Sequence, residues 1–371
     1  MSDKRPILIT AGGTGGHVYP GLAVAKALRA QGIPVVWMGT RTGLEARVVP
    51  SSGFAMAWLT VTGLRGKSWT TLAMAPFRLM LALGQSIHIM MKHKPVAVLG
   101  MGGFVAGPGG LVAALMGKPL IIHEQNAVPG LTNKLLMKLS RRVLEGFPQT
   151  FSDAPKVQTI GNPVRQDIAS LPAPMERMVA REQEPVHLLV VGGSLGAAAL
   201  NSVVPKALFL VPKEKRPQVW HQAGTRNLED AQQNYRKAFV KAEVHAFVDD
   251  MAEAYAWADL IICRAGALTV AEVAAAGVAA VFVPYPYAVD DHQTANALYL
   301  VKHDAALLVQ QQDLSAESLA ELLQNLCSDR TRLVKMGIAA RQLAKPNATE
   351  EVAAICAEYA GYTFEKQGKV V

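Results

Sequence analysis

Short runs of apolar, often β-branched residues recur along the chain, separated by longer stretches whose apolar positions fall at helical spacing. ILIT at 7–10 is the first run and VVWMGT at 35–40 the second, while LAVAKAL at 22–28 is the intervening helical stretch. Continuous rather than alternating hydrophobicity marks strands buried on both faces, as in a parallel sheet. Strand and helix in alternation almost throughout predict a parallel-sheet α/β architecture. The pattern also restarts. PVHLLVVGGSLGAAALN at 185–201 repeats the strand, glycine turn and helix that open the chain. LGMGGFVAGPGGLVAAL at 99–115 and CRAGALTVAEVAAAG at 263–277 form a second matched pair, each followed by a strand and a polar tail. The predicted fold is two Rossmann-like parallel-sheet domains facing across a cleft. TIGNPVRQDI at 159–168 reads as the connection, with the hinge near Pro163, since a residue before proline favours extended backbone. The tail after Pro346, NATEEVAAICAEYA, reads as a helix capped by Asn347 or Thr349 that packs back on the first domain. The expected domains are therefore 1–163 with 346–371, and 164–345.

The first turn, AGGTGGH at 11–17, places four glycines around Thr14 and ends in a histidine. Glycines let a ligand approach the main chain, and a following helix presents unpaired N–H groups and partial positive charge. A tight turn with no ligand has the same spelling. A dinucleotide fingerprint needs a glycine where Val18 stands and an acid ending the next strand, where Thr40 and Arg41 stand instead. GLRGKS at 63–68 ends like a P-loop, but Val61 occupies the place of its first glycine. NAD-dependent chemistry and a Walker-type nucleotide site are both disfavoured.

Half of the 371 residues are hydrophobic and 18% are charged, as a folded globular protein requires. Three widely spaced cysteines, Cys263, Cys327 and Cys356, suggest neither a disulfide framework nor a metal site and fit a reducing compartment. MSDKRP leads straight into the first strand, leaving no apolar core for a signal peptide. Residues 96–117 carry no charge over a membrane-spanning length, yet the glycines and Pro108 are expected to break them into strand, loop and helix. The net charge of +8 favours anionic partners: a membrane surface, phosphorylated substrates or nucleic acid. With 6% aromatics and no recognition motif, nucleic acid is the weakest of these. Residues 64–94 are markedly apolar and bordered by Arg65, Lys67, Arg78, Lys92 and Lys94. That composition suits a contact lying on a bilayer, and equally an amphipathic helix whose apolar face joins the core.

Taken in order, GGTGGHVYPGLAVA, GMGGFVAGPGG, HEQNAVPGLTNK, GNPVR, GGSLGA, RAGALTVAE and DDHQTANA resemble the MurG family over nearly the whole chain. Those bacterial transferases move N-acetylglucosamine from UDP-N-acetylglucosamine to the 4-hydroxyl of the N-acetylmuramoyl unit of lipid I, giving lipid II for peptidoglycan. The resemblance implies a glycosyltransferase-B fold and inversion at the anomeric carbon. It further implies peripheral attachment to the cytoplasmic membrane face, and other cell-wall synthesis and division proteins as partners. A UDP-N-acetylglucosamine 2-epimerase, a transferase for another lipid and a non-catalytic nucleotide-binding scaffold are the alternatives.

By the same resemblance, Glu272 is expected to accept both ribose hydroxyls of the donor. The four lone-pair sites of a carboxylate suit that role, although Thr269-x-x-Glu272 also spells a capping box. Ala267, Leu268, Thr269, Val270 and Ala271 are expected beside the donor. Ser194, which could equally cap its own helix, is expected at the donor diphosphate, with Arg165 helping to steady the departing UDP. Gln293 and Asn126 are expected to line the donor sugar, Thr14, Gly15 and Gly16 the donor site, and Val248 the uracil edge. Gly13, Gly102, Gly103 and Gly109 are expected at the acceptor diphosphate. Lys67, Trp69, Leu72, Phe77 and Leu83 are expected to meet the anionic bilayer. An inverting transfer needs a base for the acceptor hydroxyl, and a neutral imidazole suits it, because imidazole titrates near neutrality. His17 is the candidate and Glu124 the alternative. No Asp-x-Asp triad stands near a predicted diphosphate loop, so neither a cofactor nor an essential metal is expected.

Overall fold

The computed structural model describes residues 4–60, 74–179, 181, 183–193 and 196–365. They divide into two units, one reaching Val164 and resuming at Lys345, the other running from Arg165 to Ala344.

In the first unit, seven strands alternate with helices: β1 (Ile7–Thr10), α1 (Gly15–Ala30), β2 (Val35–Thr40), α2 (Glu45–Ser51), β3 (Ala55–Leu59), α3 (Ala75–His93), β4 (Ala97–Gly100), α4 (Gly103–Leu115), β5 (Leu120–Glu124), α5 (Leu131–Leu136), β6 (Arg142–Glu145) and β7 (Val157–Thr159). The sheet is parallel in the order β3-β2-β1-β4-β5-β6-β7. Burial on both faces explains the unbroken apolar spelling: all four residues of β1 and of β4 are fully buried. Val18, Leu22, Ala25 and Leu28 of α1 cover one face together with Trp37, while Met38, Ile89, Met90, Val105 and Val112 pack on the other.

The second unit repeats the plan with α6 (Gln166–Ala169), α7 (Pro174–Val179), β8 (His187–Val191), α8 (Ala198–Leu210), β9 (Gln218–Gln222), α9 (Leu228–Lys237), β10 (Glu243–His245), α10 (Met251–Trp257), β11 (Leu260–Cys263), α11 (Ala267–Ala276), β12 (Ala279–Phe282), α12 (His292–Val301), β13 (Ala306–Leu308), α13 (Ala316–Cys327) and α14 (Arg330–Gln342). Its six parallel strands run β10-β9-β8-β11-β12-β13, so each sheet grows outward from its first strand in both directions. That reversal creates a switch point between β1 and β4 in one unit and between β8 and β11 in the other, where open α/β sheets bind ligands.

The last helix, α15 (Ala348–Ala360), returns to the first unit and buries Val352, Ala353 and Cys356 with the α1 side of its core. Asn347 occupies the N-cap position without making a side-chain cap bond; the Thr349 hydroxyl donates instead to the Val164 carbonyl (3.3 Å). Pro108 does not break the 96–117 stretch at its middle. It lies inside α4, where it removes only one N–H from the ladder, as Pro20 does in α1.

Candidate active site

At the switch point of the first unit, α1 starts at Gly15 with Thr14 as N-cap, so Gly15, Gly16 and His17 form its first turn instead of preceding it. The first N–H groups of a helix have no partner within it and point outward from its end. The second glycine turn, after β4, packs against the first. Gly102 and Gly103 hold φ of 89° and 76°, and a Cβ on Gly103 would stand 2.7 Å from the Gly12 carbonyl oxygen. Only glycine satisfies both demands.

Behind the loop stands an acid that inspection of the β2 end overlooked. Glu45, fully buried at the first position of α2, accepts from the Thr40 N–H (3.0 Å), the Thr40 hydroxyl (2.7 Å) and the Gly13 N–H (3.1 Å). A Cβ on Gly12 would stand 2.5 Å from that carboxylate. The expectation that Gly13 holds an acceptor phosphate is therefore corrected, because its N–H is already given to a carboxylate. Gly109 is corrected as well. It is the seventh residue of α4, buried with its Cα facing the Met38 sulfur, and its amide lies inside the helical ladder. Gly102 is buried under the His17 ring, while Gly103, the first residue of α4, is partly exposed.

A line of hydrogen bonds orients His17. The Nε2–H of buried His123 donates to the Gly161 carbonyl (2.9 Å), which leaves His123 Nδ1 as an acceptor. The Gln125 amide nitrogen donates to that Nδ1 (2.9 Å) and to the His123 carbonyl (3.1 Å), so its oxygen must face the other way. There it accepts from the Nδ1–H of His17 at 2.8 Å. Burial lowers the His123 pKa to about 4, well under the ordinary 6.5, which keeps that ring neutral. The His17 ring rests on the two β4-turn glycines: a Cβ on Gly102 would come within 3.1 Å of its Cε1.

Glu124, the alternative base, ends β5 as a structural hub. One oxygen accepts from the Asn126 N–H (3.1 Å) and side-chain amide (3.2 Å), the other from the Gly130 N–H (3.1 Å) and the Asn133 amide (2.9 Å). Four donors fill its lone-pair sites, which leaves none for an acceptor hydroxyl. Asn126 is half-buried beside it, at the C-terminal edge that also carries His17.

In the second unit, α11 begins directly after the β11 turn with Gly266 as N-cap, so Thr269 is its third residue and the Thr269–Glu272 pair is not a capping box. Ala267, Leu268 and Thr269 supply the first-turn amides. Val270 N–H bonds the Gly266 carbonyl (2.9 Å), so the helical ladder begins there, with Val270 and Ala271 following the first-turn amides on the same helix. Glu272 accepts from the Tyr255 hydroxyl (3.2 Å) and lies 4.0 Å from Arg165 Nε, with 20% of its side chain exposed. Burial raises its pKa to about 7, against the lowering effects of Arg165 and the Tyr255 hydrogen bond. Arg165 is thus an ion-pair partner of Glu272, although it is also 3.9 Å from Asp167.

Gln293, in the first turn of α12, accepts from the Tyr285 N–H (2.9 Å), leaving its NH₂ to donate elsewhere. Arg264 fixes the same β12 edge by donating to the Val283 and Pro284 carbonyls (3.0 Å each). Val248 is buried and its N–H donates to the Gln222 side chain (3.0 Å), so only its carbonyl remains for a base edge. Ser194 lies outside the described residues, as do Lys67, Trp69 and Leu72.

Helix α3 carries two apolar faces. Ala82, Ile89 and Met90 are buried, and Leu83, expected at the bilayer, is half-buried and packs against the core. The opposite face exposes Phe77 (64%), Met80 (72%) and Met91 (55%) together with Leu81 and Ile87. Among the described residues no helix is long and apolar enough to cross a membrane.

Tyr255, Gln222, Asn133 and Glu45 carried no sequence signal, because each reaches its partner through the fold. Gln125 sat within the HEQN motif, and its neighbours drew the attention.

Residues 7–145 match the glycosyltransferase family 28 N-terminal domain and residues 187–352 the glycosyltransferase family 28 C-terminal domain. The chain is 55% identical to a UDP-N-acetylglucosamine–N-acetylmuramyl-(pentapeptide) pyrophosphoryl-undecaprenol N-acetylglucosamine transferase of Cupriavidus metallidurans, covering 96% of this chain and 99% of that one. A protein of the same name from Nitrosococcus oceani is 54% identical over 95% and 98%. The crystal structure of Acinetobacter baumannii MurG superposes with a TM-score of 0.82 at 44% identity, covering 95% and 99%. The calicheamicin glycosyltransferase CalG4, at 16% identity and a TM-score of 0.64 over 97% of this chain and 99% of that one, shares the fold.

Proposed function

The chain belongs to glycosyltransferase family 28 and within it to the MurG-type transferases, and from that premise we propose how its two switch points divide one reaction. It transfers N-acetylglucosamine from UDP-N-acetylglucosamine to lipid I, giving lipid II. The observation that carries this activity is identity above half across nearly the full length of relatives bearing that name.

The second unit holds the donor. Glu272 takes the ribose hydroxyls, the open amides of Ala267, Leu268 and Thr269 face the diphosphate, and Arg165 adds positive charge near the leaving group. Gln293, its oxygen already committed to Tyr285, donates its NH₂ to the sugar. The first unit brings the acceptor, with Gly102 and Gly103 at its diphosphate and His17 as base, and its Thr14, Gly15, Gly16 and Asn126 serve the donor sugar. The acceptor hydroxyl oxygen forms the new bond to the anomeric carbon from the face opposite UDP. Its proton passes to His17 Nε2, and the bond from the anomeric carbon to the β-phosphate oxygen breaks with its electron pair leaving on UDP. Such a base contributes typically ~10²–10⁴-fold. The exposed face of α3, with Phe77 and Met80 at its outer edge and Arg78 beside them, lies on an anionic bilayer surface where the lipid acceptor resides.

The test is incorporation of labelled N-acetylglucosamine from UDP into a lipid I analogue, with UDP-glucose and UDP-galactose as competitors. Label in a disaccharide lipid with an inverted anomeric centre is expected. Release of a free epimerised sugar, or no incorporation, contradicts the reading.

A further inference from the structure

We propose that Gln125, itself fixed by His123, is a positioning residue that holds the His17 ring as its Nδ1–H tautomer, so that Nε2 carries the lone pair that takes the acceptor proton. The inference rests on His17 being the base and adds what sets its proton.

Every link is anchored by a group with no choice of role. The Gly161 carbonyl only accepts, so His123 Nε2 donates to it at 2.9 Å. The His123 carbonyl also only accepts, so the Gln125 nitrogen faces it at 3.1 Å, and the same NH₂ satisfies His123 Nδ1 at 2.9 Å. The Gln125 oxygen is then directed at His17 Nδ1 (2.8 Å) and can only accept, so that nitrogen bears the hydrogen. Reversing the amide would bring NH₂ against His17 while pointing oxygen at a carbonyl and at an imidazole lone pair, two repulsions in a site where Gln125 is 1% exposed. A free histidine side chain favours the opposite tautomer, with hydrogen on Nε2, which has no lone pair there to offer. The fold therefore overrides the intrinsic preference. When Nε2 takes the proton, the Nδ1–H stays on Gln125, whose oxygen also stabilises the imidazolium. A carboxylate does this for a catalytic histidine in hydrolases, where it holds the tautomer and ring orientation; here a neutral amide does it, backed by a second histidine and a backbone carbonyl.

The test combines ¹⁵N imidazole spectroscopy of His17 with steady-state kinetics in Gln125→Met, which keeps the volume, and Gln125→Glu, which keeps an acceptor for Nδ1–H. In the unaltered protein the spectrum should show His17 protonated at Nδ1 and bare at Nε2. In Gln125→Met that signature should be lost and kcat should fall ~10–1,000-fold, within the range of a misaligned base, with KM for UDP-N-acetylglucosamine within about twofold. Gln125→Glu should keep the Nδ1–H signature and more of kcat than Gln125→Met. Should Gln125→Met fail to fold, the wild-type tautomer and the Gln125→Glu result still decide. An Nε2–H tautomer in the unaltered protein, or Gln125→Met with both tautomer and kcat unchanged, overturns the proposal. If His17→Ala retains its turnover, the base assignment fails, while the tautomer spectra still report on Gln125 separately.

Discussion

Glu45→Gln tests how the glycine turn below His17 is held. One carboxylate oxygen of the fully buried Glu45 accepts from the buried Thr40 N–H (3.0 Å) and hydroxyl (2.7 Å), the other from the N–H of exposed Gly13 (3.1 Å). An amide of the same shape has one oxygen. It stays with the two buried Thr40 donors, since leaving them unpaired costs more than abandoning an exposed glycine N–H that water can satisfy. The new NH₂ then points at the Gly13 N–H, donor against donor. Losing one hydrogen bond to a charged group removes about 1.5–3 kcal/mol, and weakening the Thr40 pair from charged to neutral acceptor brings the total to about 2–4 kcal/mol. For a unit of this size that lowers Tm by roughly 4–16 °C. Differential scanning calorimetry reads this directly, with the second unit's transition as the internal reference. Because the Gly12 carbonyl packs on Gly103 and the His17 ring on Gly102, turnover should fall as well, with UDP binding nearly unchanged. A Tm within about a degree of wild type together with full turnover would refute the argument that this carboxylate holds the loop.

Several other outcomes can be measured. His17→Ala should lower kcat ~100-fold or more with UDP-N-acetylglucosamine affinity intact; a loss smaller than about tenfold removes the base role. Glu272, held at a pKa of about 7 in the folded chain against an ordinary 4.5, stabilises the second unit fully below 4.5 and loses that contribution as pH rises through about 7. Unit-two Tm should therefore decline over that window in the wild type and less so in Glu272→Gln; parallel pH profiles of the two proteins would contradict this. Ribose hydroxyls call for the ionised form, so UDP affinity should weaken up to about tenfold per pH unit below 7, a slope that Glu272→Gln should lack in titration calorimetry. The double substitution Phe77→Ser/Met80→Ser, on exposed positions of α3, should reduce flotation with anionic vesicles while leaving Tm and turnover on a water-soluble acceptor unchanged. Undiminished flotation would move the bilayer contact elsewhere.

Much of the architecture was legible because parallel strands buried on both faces have to be spelled as short continuous apolar runs. Two such series, each opening with a glycine turn, imply two sheets. The position of helix starts was less legible. GGH and GFVAGP look like loop because glycine and proline are poor helix formers, yet proline in the second turn costs a single ladder bond and glycine allows the packing of α1 and α4 onto neighbouring turns. His17 was visible as a candidate because an ionisable ring ends a glycine turn, whereas Glu124 and Glu272 stood out only through the resemblance to a family. Their roles depended on partners that only folding supplies. Glu124 is filled by donors from positions 126, 130 and 133, Glu272 is met by Tyr255 from 17 residues upstream, and Gly13 is taken by Glu45 from 32 residues away. A glycine-rich spelling alone cannot distinguish an amide open to phosphate from one already bonded within the protein.

The central claim is that donor recognition and proton removal are carried by different units, Glu272 in one and His17 in the other. Titration calorimetry of UDP-N-acetylglucosamine into Glu272→Ala and His17→Ala separates the two most directly. The account predicts binding weakened by about tenfold or more in Glu272→Ala, the scale of lost hydrogen bonds to a charged group, and wild-type binding in His17→Ala despite its lost turnover. Wild-type binding by Glu272→Ala, or donor binding abolished in His17→Ala, would contradict it.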